Sequence, residues 1–201
     1  MASVARVRWQ NLFDDLESQL ESELGAEEVD LLAEEERLRL GRLGLRDRIR
    51  AIHDARLRIP LGVTVRGGLN LAMVPAAVGR DWVAGELAAG ELRSAIIPLS
   101  ALVALAPDAE QLAASLRIEP APEPPTALSA RLGLAFVLRD LCRRRAPVEL
   151  QLGPDRTHGT IDRVGRDHVD LAEHPVGEPR RAGAVSRVRL VAFGAIDVLR
   201  F

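Results

Sequence analysis

The chain opens with a stretch in which apolar residues recur every three or four positions among acidic ones. The apolar positions are Trp9, Leu12, Phe13, Leu16, Leu20 and Leu24. This spacing places them on one face of an amphipathic helix. Gly25 is expected to end that helix, and a second helix is predicted from about Glu27 to Ala55. Gly41 and Gly44 weaken the middle of the second helix.

Between Arg58 and Ala106 the apolar spacing changes from helical to strand-like. Residues 59, 61, 63 and 65 are apolar and alternate with other residues. Further short apolar runs follow at Leu71–Val74, Trp82–Leu87 and Ser94–Leu105. Glycine-containing turns separate these runs. About five short strands with tight turns predict a small β-barrel.

A connector is predicted at residues 107–125, with a weak helix at Asp108–Leu116 and then four prolines between residues 120 and 125. After the connector, the same order of a helix followed by short strands is predicted again. Thr126 can cap a helix that runs to about Arg145. The strands predicted to follow are Val148–Leu152, Thr157–Val164, His168–Glu173, Val185–Val191 and Ala195–Leu199. A loop is predicted at Pro175–Gly183.

The pattern therefore predicts an α+β, mainly β, protein with four segments. Residues 1–36 form an acidic helical segment, and 37–106 a helix followed by a first barrel. Residues 107–125 are the linker, and 126–201 a second helix and barrel.

Four short matches between the two barrel segments predict an internal repeat. The matched pairs are Arg42–Leu45 with Arg131–Leu134, Pro60–Val65 with Pro147–Leu152, Gly79–Asp81 with Gly165–Asp167, and Pro98–Leu102 with Ala192–Ile196. They occur in one order, and the shifts between them fall in loops. A composition rich in leucine, glycine and arginine is the competing explanation of such matches.

The second copy resembles the Sm-like (Hfq-type) family. The basic helix Phe136–Arg145 leads into a strand that begins at Pro147. Gly159–Val164 then resembles the bent strand of the first Sm motif, and Gly165–Leu171 resembles its turn and apolar strand. The segment Val191–Leu199 is similar to the second Sm motif. A bent strand needs a glycine where it folds over itself, and Gly159 stands at that point.

This resemblance implies the architecture more than it implies RNA binding. Sm rings hold RNA with an Asp and Asn pair and an Arg-Gly step. Here Asp167 is present, but Asp170 lies near the asparagine place. The Arg-Gly place reads Phe193-Gly194 in one copy and Leu99-Ser100 in the other. The Lys-His pair of Hfq is missing as well. These departures favour a protein-binding module.

Composition and charge set the remaining bounds. The net charge of −2 disfavours general nucleic-acid binding. The single cysteine, Cys142, excludes an internal disulfide and favours a cytoplasmic location. No apolar run has the length of a membrane span, so no membrane partner is expected.

Candidate chemistry is sparse. His168 and Asp170 could suggest a metal site, but Asp167 and His174 do not share their strand face. Arginines beside Cys142 could activate its thiol, although a packed side chain is the commoner role. No nucleophile, phosphate-loop or dinucleotide motif occurs. We therefore expect no catalytic residue, cofactor, metal or small-molecule substrate, and a protein that is not an enzyme.

Two groups of residues are the candidate binding sites. Arginines at the helix ends and turns could contact RNA or phosphate, namely Arg56, Arg58, Arg80, Arg139, Arg143, Arg144, Arg145 and Arg166. Those that end helices could instead complement the helix dipole. The N-terminal stripe, that is Trp9, Leu12, Phe13, Leu16 and Leu20, could dock a partner or fold back on its own barrel.

The sequence thus predicts a binding or scaffold protein that acts through protein–protein contacts, self-association included. An RNA-binding post-transcriptional regulator is the alternative. A transcription regulator ranks below it, because no helix-turn-helix pattern is present.

Overall fold

The computed structural model of the chain describes residues 28–117, 131–177, 180–181 and 183–201. The chain divides into two compact units, Met1–Leu43 and Gly44–Phe201. The acidic stripe that begins at Trp9 lies outside the described residues, as do Thr126 and the proline-rich segment 120–125.

In the first unit, residues 28–41 form a helix, α1. Ion pairs one turn apart support it, with Arg37 Nη1 2.6 Å from Glu34 Oε2 and Arg39 Nε 2.6 Å from Glu36 Oε2. Residues 42–44 are not helical, so the single helix predicted from Glu27 to Ala55 is wrong. It breaks at the two glycines that were expected to weaken it.

The second unit begins with a helix and five strands, which together we call the first half. Helix α2 (Leu45–Asp54) starts after the N-cap Gly44. The strands are β1 (Leu61–Val65), β2 (Asn70–Val78), β3 (Trp82–Leu87), β4 (Ser94–Pro98) and β5 (Leu102–Ala106). In β1 every second residue is buried, as its apolar alternation predicted. The turn before β2 contains Gly67 at φ 77°, a left-handed conformation that favours glycine.

Helix α3 (Ala109–Leu116) follows the first half and lies within the predicted linker. Asp108 caps it, since its side chain accepts a hydrogen bond from the Gln111 backbone N–H at 2.8 Å. Gln111 and Ser115 are buried, and each joins α3 to the first half. The Gln111 amide donates to Ile59 O at 2.9 Å, and Arg48 Nη2 donates to Ser115 Oγ at 3.0 Å. This helix is therefore docked on the first half.

The second half repeats the helix-and-strand order. Helix α4 (Leu134–Arg144) starts after the N-cap Gly133. The strands are β6 (Pro147–Leu152), β7 (Asp155–Val164), β8 (His168–Glu173), β9 (Arg187–Ala192) and β10 (Val198–Arg200). A Cβ atom at Gly159 would lie 2.3 Å from Ala172 O on the neighbouring strand β8. The backbones approach too closely at this point for any residue but glycine.

The ten described strands belong to one antiparallel sheet with the order β5-β1-β2-β3-β4-β10-β6-β7-β8-β9. The predicted α+β class is confirmed. The expectation of two separate closed barrels is not, because the described strands form one sheet that is open at β5 and at β9. The halves are joined edge to edge by β4 and β10.

The two halves share details of backbone geometry beyond their strand order. The pairing of β2 with β3 is interrupted by one extra residue, Ala76, and that of β7 with β8 by Asp162. Helix residues bond to the carbonyl of each extra residue. His53 Nε2 donates to Ala76 O at 2.9 Å, and Cys142 Sγ donates to Asp162 O at 3.4 Å. The cysteine therefore has a structural role.

The turns of the two halves correspond as well. Gly79 N–H donates to Trp82 O at 2.8 Å, and Gly165 N–H donates to His168 O at 2.8 Å. After β4, Leu99 N–H donates to Asp81 O, and after β9 Phe193 N–H donates to the same atom of Asp167. The register therefore equates Asp81 with Asp167, and Trp82 with His168.

The two apolar cores also cross the boundary between the halves. Val198, from the second half, belongs to the first core. Trp82 and Ile96, from the first half, belong to the second. Residues 44–201 are accordingly one packed unit. No helix among the described residues is long and apolar enough to cross a membrane.

Candidate functional site

The contact between β4 and β10, which we call the inner junction, joins the two halves of residues 44–201 within the sheet. Leu199 pairs with Ile96 and Arg200 with Ala95. The Phe201 backbone N–H extends the ladder by donating to Ser94 O at 3.0 Å. Ile96 and Leu199 are each only 1% exposed. Backbone bonds and apolar burial therefore act together at this contact.

The β2–β3 turn of the first half supports the inner junction by capping α4. Gly133, at the N-cap of α4, has no side chain that could accept a hydrogen bond. Asp81 supplies this acceptor, since its Oδ1 receives the Leu134 N–H at 2.7 Å. Trp82 Nε1 donates to Leu132 O at 3.0 Å. A carboxylate at a helix N-terminus also complements the helix dipole.

An ion pair between a buried aspartate and a partly exposed arginine adds a third contact between the halves. The Asp197 side chain is 3% exposed, and its Oδ1 accepts from Arg66 Nε at 2.9 Å. Its other oxygen accepts from Gly153 N–H at 2.6 Å. Arg66 Nη2 also donates to Gly194 O at 2.7 Å. The charge of Asp197 is therefore well compensated despite its burial.

The outer edges of the sheet, β5 and β9, are the counterparts of the two strands that meet at the inner junction. The β9 register against β8 makes Leu190 the counterpart of Ile96. The β5 register against β1 makes Leu105 the counterpart of Leu199. Within the described ranges neither strand pairs with another strand on its outer side, and we call β5 and β9 the free edges. Leu190 and Leu105 lie on these edges at positions whose counterparts, Ile96 and Leu199, are buried.

The free edges expose large apolar side chains. Leu190 is 70% exposed and Val188 53% on β9, while Val103 on β5 is 64% exposed. A sheet edge also presents unpaired N–H and C=O groups, which makes apolar edges favourable for pairing with another strand.

The turn beside β9 has the same polar group as the turn at the inner junction. Asp167 occupies the place of Asp81, and its side chain is 84% exposed. Its Oδ1 lies 2.9 Å from Nδ1 of the adjacent His168. Helix α2, like α4, begins after a glycine N-cap, Gly44. One copy of the chain therefore carries a spare capping carboxylate, and also a glycine-capped helix that could receive one.

The second half contains one strongly charge-compensated carboxylate near β9. Burial alone would raise the pKa of Glu173, but hydrogen bonds from Arg187 and Thr157 and the charges of Arg189 and Arg187 outweigh burial and lower it. The Arg189 Nε lies 3.1 Å from Glu173 Oε1. The first half has Leu87 at this register position.

Most of the candidate phosphate-binding arginines with a described contact are engaged by carboxylates. Arg143 and Arg144 both pair with Asp140. Arg145 Nη1 lies 3.1 Å from Asp162 Oδ1, which Arg180 also contacts. Two carboxylates thus serve four arginines near this helix end, so each arginine has an acidic partner although a net positive charge remains.

The remaining predicted arginines lie elsewhere. Arg80 and Arg166 are on the equivalent β2–β3 and β7–β8 turns, and Arg139 is on the exposed side of α4. Arg56 ends α2 at the place where Arg145 ends α4, with φ angles of 51° and 54°. Arg58 has a φ of 54° as well.

The junction residues were not among the sequence-predicted sites. The sequence feature that could have indicated them is the match between Gly79-Arg80-Asp81 and Gly165-Arg166-Asp167. This match marks both turns, but it does not reveal that Asp81 caps a helix while Asp167 is exposed. Within the described ranges, no cluster of three metal-ligating side chains occurs. A scan of known protein-family models and searches of curated proteins and of solved structures found no match to this chain.

Proposed function

We propose that this chain is a non-enzymatic binding and scaffold protein that is built from two tandem Sm-like units and joins further copies of itself head to tail. The observation that carries the proposal is the inner junction. Within one chain, β4 and β10 already make the strand pairing that β9 of one copy and β5 of another could make.

The geometry of such a contact follows from the inner junction. In the register of β4 with β10, β9 of one copy would pair Leu190 with Leu105 on β5 of the next. Leu190, which is 70% exposed, and Leu105, which is half-buried, would then lose their remaining contact with water. Asp167 of the first copy would receive the Leu45 N–H of the next copy, as Asp81 receives that of Leu134.

Because β5 and β9 are different strands, this contact is heterologous. Heterologous contacts produce rings when the rotation closes and open filaments when it does not. A ring would repeat the strand order of the chain around its symmetry axis, and a filament would repeat it along the filament axis. A repeated surface of this kind suits a scaffold, since it offers several equal binding places to partners.

The two halves support the Sm-like assignment in several ways. Each has a helix, five strands in the same order, an extra residue in the second strand, and a short 3-10 turn between the fourth and fifth strands. The residues by which Sm rings hold RNA do not accompany this layout. Protein binding is therefore the better supported activity.

Light scattering on the purified chain tests the proposal directly. We expect a mass of several copies at micromolar concentration, and a shift to the monomer in the Leu190→Lys variant, since a buried lysine would oppose strand pairing. Val176→Lys is the matched control, because Val176 is 71% exposed and lies outside both free edges. A strict monomer at high concentration, or equal effects of both variants, would contradict head-to-tail assembly.

RNA binding through the helix-end arginines is the alternative. It predicts salt-dependent binding of a single-stranded oligonucleotide that weakens when Arg143–Arg145 are neutralised. The pairing of these arginines with Asp140 and Asp162 supports this alternative less well than the free edges support self-association.

A further inference from the structure

A cavity of about 1290 Å³ lies between the two halves of residues 44–201. One wall comes from the first half and is mainly apolar, with Leu69, Leu71, Leu87 and Leu92. The other comes from the second half and is polar. It contains two histidines, Thr160 and four arginines. The space is large enough for a small organic ligand.

The polar wall is not required by the fold. The strand register equates His158 with Ala72, Thr160 with Val74 and His174 with Ala88. The first half therefore forms the same backbone with small or apolar side chains. Buried polar groups cost free energy unless they are hydrogen-bonded, so their presence in only one half needs a separate cause.

Two of these polar groups satisfy each other. His174 is 5% exposed, and its Nδ1 must donate to Pro175 O at 3.1 Å because a carbonyl oxygen can only accept. In the neutral ring, Nε2 then accepts from the Thr160 hydroxyl at 2.9 Å. Thr160 and His174 thus hydrogen-bond to each other within the polar wall.

His158 is different, because only one of its ring nitrogens has a described partner. Its Nδ1 donates to His174 O at 3.2 Å, and its ring packs edge-on against His174 at 5.2 Å. Among the described residues, no hydrogen-bond partner of its Nε2 occurs. The ring is held in place while one polar atom stays available at the cavity wall.

The charges beside His158 are unbalanced toward positive. Glu149, its cross-strand neighbour, is paired with Arg200 at 2.6 Å, and the Arg200 side chain is 9% exposed. Arg156 lies 3.5 Å from the same carboxylate with a 58% exposed side chain. One carboxylate thus serves two arginines, and Arg156 is the less tightly held. Over the whole lining, four arginines face two acids, Glu91 and Glu149, and two of these arginines, Arg145 and Arg180, share Asp162 outside the lining.

The neutral His158 ring carries its proton on Nδ1, so its Nε2 can only accept a hydrogen bond and does not suit a carboxylate. We propose that this cavity binds a small amphipathic anion, with its apolar body against the leucine wall and its acidic head on Arg156. Arg156 supplies a charge-assisted hydrogen bond. The leucine wall supplies the free energy of apolar burial. This site is distinct from the free edges, so the test of ligand binding is independent of the test of head-to-tail assembly.

Calorimetric titration of the full chain with decanoate tests the site. We expect saturable binding of one decanoate per chain, with decanol and acetate each binding at least about tenfold more weakly, because each lacks one of the two contacts. No saturable binding of decanoate would overturn the proposal. Decanol that binds as tightly as decanoate would overturn the role of the acidic head.

Three variants locate the head group. Arg156→Gln should weaken decanoate binding by about tenfold or more, since a charge-assisted contact is lost. Two controls should leave the affinity unchanged, namely Arg145→Gln, at another arginine of the lining, and Arg163→Gln, since Arg163 is 84% exposed and outside the lining. Equal affinities in all three, or a loss only in Arg145→Gln, would contradict the placement on Arg156.

Discussion

The two halves of the sheet have the same backbone, but their edges face different surroundings. In the inner junction, β4 and β10 bury Ile96 and Leu199, while the equivalent Leu190 and Leu105 lie on the free edges. Asp81 caps a helix, while Asp167 is exposed. The comparison teaches that equivalent positions need not be used equally inside one chain, and that the unused ones indicate where a second copy could bind.

The largest expected effect separates the buried and the exposed leucines. Leu199→Ala should lower the free energy of unfolding by about 2–5 kcal/mol, because it leaves a cavity at a fully packed position. Leu190→Ala should cost under about 0.5 kcal/mol in the dilute monomer, since Leu190 is 70% exposed there. Urea unfolding at low protein concentration measures both. Similar losses for the two variants would mean that Leu190 is already buried in the monomer.

The next effect compares the two turn carboxylates. Asp81→Ala should lower the free energy of unfolding by about 1 kcal/mol, the usual cost of losing a helix cap. Asp167→Ala should leave monomer stability unchanged and lower the concentration-dependent mass in light scattering. The head-to-tail register would be contradicted if Asp167→Ala assembled as well as the unaltered chain.

Acid should distinguish the halves to a smaller extent. The folded-state pKa of Glu173 is lowered, so its ion pairs with Arg187 and Arg189 contribute stability above the ordinary glutamate pKa. That contribution is lost as the pH falls through the lowered folded-state pKa. Unfolding followed from pH 7 down to about pH 3 should therefore show less acid sensitivity in Glu173→Gln than in the unaltered chain. Identical pH profiles would contradict this role, and Leu87 offers no such group in the first half.

The smallest difference concerns the arginines that end the two helices. Arg56 and Arg145 both have left-handed backbones, which favour glycine. Arg56→Gly should raise the free energy of unfolding by about 0.5–1 kcal/mol. Arg145→Gly should gain less, because it also loses the contact with Asp162. Thermal unfolding of the two variants gives the comparison, and a larger gain for Arg145→Gly would contradict it.

The sequence alone was sufficient for most local structure. The β1 alternation, the strands Trp82–Leu87 and His168–Glu173, and the short helix at Asp108–Leu116 were all predicted close to their observed bounds. These features depend on side-chain periodicity and on local hydrogen bonds, which neighbouring residues specify. The repeat was predicted for the same reason, since its turns carry matched tripeptides.

The candidate site was much less accessible from the sequence. The arginines at the helix ends were predicted as a binding surface, but carboxylates pair with several of them. Asp140 does so within one helical turn, while Asp162 contacts Arg145 from the second strand that follows the helix. The polar wall around His158 is formed by residues that the sequence placed in separate strands and loops, with no indication that they lie together. Only the sheet register places Glu149 beside His158, and only the closing strand brings Arg200 to Glu149.

By itself, the sequence determined most of the described helices and strands and the doubled order in which they follow one another, although not the break at residues 42–44. The tertiary structure decided that the two halves share one open sheet, which of the equivalent edges is buried and which helix Asp81 caps. The physical reason is that a strand edge can pair with any complementary edge. The choice of β10 as the partner of β4 depends on contacts such as Asp81 with Leu134 and Arg66 with Asp197, which link residues distant in the chain.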